Sequence, residues 1–383
     1  MYRKTSVVII LLTLVAALVA CAPAAVPTPT PTKAPAAAPT TAPAAAPTVA
    51  AQATKPPAAA PTAPASTPTP KPASLKFGSL PASTYAGLYI AIDKGYFKEQ
   101  GITMEVIDFR NNVEHIAPLS TGQLDIVATP FSAALLAAAD RGVEMKVMAG
   151  MSESFSGWET TWVLLRKDLA DSGQVKTIAD LKGMKVAIPT PGSLGEQTVE
   201  ELLKLAGVKP GEVELTVLGP ADAPAGLANK AVAAAYLWEP ILTAVVRQGT
   251  AVKWIPTSSA FGGKKQETML IFGPSIAKDQ DLGRRFMIAY LKGVRDYLKA
   301  FTTKEGRQEA VNSLIKYTAG KDAALYDVME MPYINPNGVL DMKSIEPQQK
   351  WLAEKGLYTG KKTVADLADP SAVEYAVQRL GRQ

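Results

Sequence analysis

Residues 185–196 read Lys185-Val186-Ala187-Ile188-Pro189-Thr190-Pro191-Gly192-Ser193-Leu194-Gly195-Glu196. A short apolar run gives way to Pro and Gly, then to the Ser-x-x-Glu spacing that opens helices, so the stretch predicts a strand, a turn and a helix start. The helix carries Val199, Leu202, Leu203 and Ala206 on its core face and stops at Gly207. Ser193 and Glu196 are expected to form a capping box. The same turn also presents backbone N–H groups without intrahelical acceptors, together with a hydroxyl, to a polar or anionic ligand atom. Ser193 cannot give the same lone pairs fully to both uses.

The strand-to-helix pattern recurs on either side. Strands are expected at 75–77, 103–107, 126–129, 146–149, 161–165, 185–188, 214–218, 234–237, 252–255 and 269–272, with helices between them. Tyr85, Leu88, Tyr89, Ile92 and Tyr96 make one apolar helical stripe, and Phe286, Tyr290, Val294, Tyr297 and Phe301 another. Beyond Lys278 the chain reads as almost wholly helical. The folded part, from about residue 74 to 383, is therefore α/β with a helical C-terminal region, and is long enough for two lobes sharing a cleft.

The chain has 383 residues, one His, one Cys and a formal charge of +5. All 35 acidic residues but only 35 of the 40 basic ones follow residue 73, so the folded part is formally neutral and its charge points to no nucleic-acid partner. Arg3 and Lys4 precede an uncharged apolar run, Val7 to Ala20. At ~1.5 Å per residue that run spans about 21 Å, short of a bilayer core, and reads as the apolar region of a signal peptide over residues 1–21. It closes on Leu18-Val19-Ala20-Cys21, which resembles a bacterial lipobox with Cys21 as the lipidated residue. Residues 22–73 hold 15 of the 30 prolines and neither an aromatic nor an acidic residue. They are expected to form a disordered tether with an upper reach of roughly 160 Å.

Enzymatic chemistry finds little support. His115, in Asn112-Val113-Glu114-His115-Ile116, has no cysteine or nucleophile motif beside it and is expected to be packed or solvated on a helix. Phosphate-loop and dinucleotide-binding glycine motifs are absent. No catalytic residue, metal ligand or cofactor is therefore expected. Three other segments stand at strand ends or crossovers: Tyr236-Leu237-Trp238-Glu239-Pro240, Thr129-Pro130-Phe131-Ser132, and the aromatic stretch with Phe155, Trp158 and Trp162. Trp238 and Glu239 can serve either as core packing and a helix start or as an indole face and a carboxylate at a cleft mouth.

Four stretches together resemble the substrate-binding lipoproteins of ABC importers, in the family of aliphatic-sulfonate, taurine, nitrate and thiamine-precursor binding proteins. They are residues 88–102 (LYIAIDKGYFKEQGI), 120–126 (STGQLDI), 177–187 (TIADLKGMKVA) and Trp238-Glu239-Pro240. The resemblance implies a bilobal type II periplasmic-binding fold with a hinge. It sets crossings near Arg166 and Thr268, so one lobe covers 74–165 plus 268–383 and the other 166–267. It implies a cleft lined by Thr84, Tyr85, Asn111, Thr129, Phe131, Thr190, Gly192, Ser193, Leu194, Trp238 and Glu239. The implied partners are a small-molecule ligand, ABC permease subunits and, through Cys21, the membrane. The implied state is a monomer at the extracytoplasmic face. A sensor with the same fold but no permease is the alternative. The cysteine-rich motif and histidine of the pyrimidine-synthesising relatives are absent, which counts against an enzyme. An anionic ligand would call for an arginine such as Arg110 or Arg166. Tyr85, Phe131, Trp158 and Trp238 would instead suit an aromatic or partly apolar organic ligand, the preferred reading.

Overall fold

The computed structural model describes residues 70–383. The signal segment, Cys21 and nearly all of the 22–73 tether lie outside them.

Two five-stranded sheets organise these residues. The first runs, edge to edge, Ile102–Asp108, Ala73–Ser79, Ile126–Thr129, Met269–Phe272 and Lys146–Gly150. Ala73–Ser79 is parallel to both of its neighbours, whereas Met269–Phe272 enters antiparallel between Ile126–Thr129 and Lys146–Gly150. The second sheet repeats this plan as Ala251–Pro256, Thr161–Arg166, Ala234–Trp238, Lys185–Ile188 and Glu214–Val217. Here the antiparallel strand is Thr161–Arg166. Each sheet thus receives one strand from chain that has just left the other. All ten expected strands are present.

The apolar runs of the inner strands are continuous because both faces are covered. Met269 and Ile271 pack into one cluster and Leu270 and Phe272 into another, and in the second sheet Val163 and Leu165 face away from Leu164. The expected crossing near Arg166 is displaced. Residues 161–165 pair one for one with Ala234–Trp238, so they belong to the second lobe and the crossing precedes Thr161. A third, three-stranded sheet that the sequence reading lacks links the lobes: Lys265–Gln266, Ser152–Ser154 and Tyr333–Ile334.

The apolar stripe from Tyr85 is divided by Gly95, whose φ of 76° ends Ala86–Asp93 before Tyr96–Glu99 begins. Ala86–Asp93 packs across the long helix Gln280–Thr302, where Phe286, Tyr290, Val294 and Tyr297 are buried. The backbones touch there: a Cβ on Gly293 would lie 2.2 Å from the Gly87 carbonyl oxygen. This close crossing fixes the start of the first helix, and with it Thr84 and Tyr85, over the ends of the first sheet.

Candidate functional site

A cavity of about 50 Å³ lies between the two sheets. The first lobe contributes Leu80, Ala82, Thr84, Tyr85, Asn112 and Pro130. The second contributes Thr161, Pro189, Ser193, Leu194, Gly195, Tyr236 and Trp238, and the returning crossover adds Glu267 and Thr268. All of these but Tyr236, in the middle of Ala234–Trp238, stand at a strand end, at a helix start or on a connection, where an open α/β sheet leaves room for a ligand.

The turn from Ile188 into Leu194–Leu205 forms one wall. Ser193 caps the helix, its Oγ accepting from Glu196 N at 3.2 Å. The expected box is only half made, because the Glu196 carboxylate accepts from Gly192 N at 2.6 Å instead of from Ser193. The first-turn N–H groups of Leu194 and Gly195 remain available as donors. Glycine is required at 195, since a Cβ there would stand 2.7 Å from both Pro189 Cδ and Tyr236 Cδ1.

The charge in the cavity wall comes from Glu267, which is 3% exposed. Its backbone N–H donates to Ser152 O at 2.8 Å, joining the two crossing segments, and its carboxylate accepts from the Thr161 and Thr160 hydroxyls. Burial pushes the carboxyl up to about 7, and the neighbouring Glu159 carboxylate pushes it the same way. Glu159 is itself buried, raised by burial, and bonded through Oε1 to Ser258. Among the described residues, no Lys, Arg or His lines the cavity.

Of the residues expected in the cleft, Thr84, Tyr85, Ser193, Leu194 and Trp238 line the cavity. Tyr85 does so with its hydroxyl committed to Ala128 O at 2.8 Å. The others are placed differently. Asn111 closes a local turn, its Oδ1 accepting from Val113 N and Glu114 N, and the neighbouring Asn112 reaches the wall. Phe131 is buried in the core beneath the first sheet and leaves Pro130 at the surface of the cavity. Thr129 is buried, with its hydroxyl turned to Pro130 O at 3.2 Å. Trp158 lies edge-on to Tyr333, 5.5 Å between centroids, away from the cavity. Thr190 and Gly192 shape the turn without reaching the wall. Glu239 is fully buried and caps the following helix, accepting from Thr243 N at 3.1 Å and Thr243 Oγ1 at 2.6 Å. Arg110 is exposed, and Arg166 is held by Asp168 and the Val232 carbonyl. Glu267, Thr268 and Thr161 have no individual signal in the sequence, because only the topology brings them together, whereas Tyr236 opens the segment 236–240 singled out above.

The lobes also touch around the cavity. Ser83 Oγ donates to Glu239 O at 3.3 Å, and Arg247 pairs with Asp322 at 3.1 Å. Lys253 pairs with Glu330 at 3.1 Å. Lys355, at the end of Met342–Glu354, meets Glu196 at 2.8 Å and also Glu200, which accepts from Trp351 Nε1 at 3.0 Å. His115 lies apart from the cavity, fully buried at the N-terminus of Ile116–Ser120, with neither ring nitrogen hydrogen-bonded.

This architecture is shared with solved structures. The ligand-binding component of an ABC-type import system from Staphylococcus aureus superposes with a TM-score of 0.65 at 16% identity, over 79% of this chain and 98% of that one. The alkanesulfonate-binding protein of Xanthomonas axonopodis gives 0.63 at 17% identity, over 78% and 99%. The fold is the bilobal periplasmic-binding fold. In sequence, the chain is 26% identical over 212 residues to a candidate binding protein of Brucella abortus, a match covering 55% of this chain and 62% of that relative's length. The profile of the family described as NMT1/THI5 like matches residues 82–300, more than half of the chain, which therefore belongs to that family.

Proposed function

We propose that this chain is an extracytoplasmic solute-binding receptor, anchored through Cys21, that delivers a small organic ligand to an ABC importer by closing its lobes. One observation carries the reading: a cavity walled by both lobes, which are joined by the short paired strands Ser152–Ser154 and Lys265–Gln266. Two connections of this kind permit rigid-body opening, and the polar contacts around the rim suit a closed form. The kinship with proteins named for binding supports a receptor over an enzyme, as does the position of His115 away from the cavity. The Ala/Pro/Thr-rich tether would let the receptor reach a permease while anchored.

The test is a solute screen on the purified protein. A ligand at ~100-fold its Kd adds about 2.7 kcal/mol, which raises the melting temperature by several degrees. The same ligand should reduce the radius of gyration in solution scattering of an otherwise open population. A broad screen of amines, aromatic acids, pyrimidines, sulfonates and nitrate that gives neither effect would count heavily against the reading.

A further inference from the structure

We propose that the cleft takes a ligand with a protonated nitrogen, a small organic cation of the amine or amidine class, held by the Glu267 carboxylate beside the Trp238 and Tyr236 rings. The inference rests on the receptor reading above and adds the sign of the ligand's charge.

Glu267 is 3% exposed at the cavity wall, and its partners Thr160 and Thr161 are neutral hydroxyls. A buried carboxylate without a cation is costly, and a ligand that supplies the missing positive charge relieves that cost. The cations closest in the chain or in the rim are committed elsewhere. Lys265 Nζ donates to Ser344 O at 2.5 Å, and Lys253 sits between Glu330 and Glu239. Acceptors are also in surplus. Asn112 Oδ1, in a residue of the wall, and Glu159 Oε2, in a side chain 4% exposed beside Glu267, have no donor. Trp238 and Tyr236, 6.4 Å apart between ring centroids, line the same cavity and bring aromatic rings, which attract a cation, to it. The N–H groups of Leu194 and Gly195 can meet a neutral acceptor elsewhere on the same ligand. An inorganic or sulfonate anion would meet Glu267 with no side-chain cation to offset the repulsion.

Calorimetric titration of the full chain with benzylammonium, methylguanidinium and choline, set against nitrate, methanesulfonate and benzoate, tests this at pH 6 and pH 8. At least one cation should bind, and Glu267→Gln should weaken it tenfold or more while leaving the melting temperature of the unliganded protein equal or higher. Affinity should rise from pH 6 to pH 8 as Glu267 ionises. The groups that face it are Glu159 on the first crossing, Tyr236 from the second sheet and Lys265 two residues before it. Binding of an anion in preference to every cation, or cation binding indifferent to Glu267→Gln, overturns the inference. If a neutral or anionic solute alone compacts the protein, the receptor reading stands and the cationic one falls. If no solute binds or compacts it, both fall.

Discussion

Glu239 has the chemistry of a ligand contact and the geometry of a cap. Its carboxylate takes both the N–H and the hydroxyl of Thr243, and its carbonyl receives Ser83 from the other lobe. Glu239→Ala keeps the carbonyl that Ser83 bonds but strands the two Thr243 donors in a buried place, and should cost about 1–3 kcal/mol in denaturant unfolding. Glu239→Gln, which keeps an acceptor, should cost less, and ligand affinity should change less than threefold in either variant that folds. A large affinity loss in Glu239→Gln at unchanged stability would return the residue to the cleft. The sequence left this choice open because Trp-Glu-Pro at a strand end satisfies both readings. Asn111 and Asn112 differ for a similarly local reason: the side chain that closes the turn cannot also face the cavity. Glu267 was invisible, since nothing in the sequence around it marks a site until the pairing of Lys265–Gln266 with Ser152–Ser154 and the bond from Glu267 N to Ser152 O set it beside Thr160 and Thr161.

Elements were more legible than residues, and for an identifiable reason. The inner strands, buried on both faces, declare themselves as short continuous apolar runs, and the part-exposed edge strands Ile102–Asp108 and Glu214–Val217 as short runs with β-branched residues, so all ten strands of the two main sheets could be read. The linking sheet has strands of two or three residues, held by pairing with chain remote in sequence, and no periodicity marks them. The misplaced first crossing follows from the same gap. Between elements, the contact of Lys355 with Glu196 and Glu200 joins Met342–Glu354 of one lobe to Leu194–Leu205 of the other. Lys355→Ala leaves Gly192 N on Glu196 and Trp351 Nε1 on Glu200, and so removes mainly the charge pairing. An ion pair of this exposure contributes about 1 kcal/mol or less. The variant should therefore show a larger radius of gyration without ligand and a ligand affinity lower by a few-fold, with the difference shrinking at high salt. Unchanged affinity and scattering at low ionic strength would show that this contact does not bias closure.

At the scale of the whole molecule the formal charges of residues 74–383 balance, so self-repulsion near neutral pH is small and the few buried titratable groups shape the pH profile. Two of them act in opposite directions. Burial lowers His115 from 6.5 to about 4, so between these values the unfolded chain binds the extra proton and stability is lost as pH falls. Burial raises Glu267 from 4.5 to about 7, so there the folded chain binds the extra proton and stability is lost as pH rises. Each group contributes a slope of about 1.4 kcal/mol per pH unit, and the two nearly cancel where their windows overlap. Substitution should uncover each in turn. Relative to the parent protein, His115→Leu should be more stable at pH 5 than at pH 8 by on the order of 2 kcal/mol. Glu267→Gln should show the reverse, gaining on the order of 2–3 kcal/mol at pH 8 relative to pH 5. Urea unfolding of the three proteins across that range measures both differences. Parallel profiles would mean that these groups titrate alike in the folded and unfolded chains, and would remove Glu267 as a group poised near neutrality for a cationic ligand.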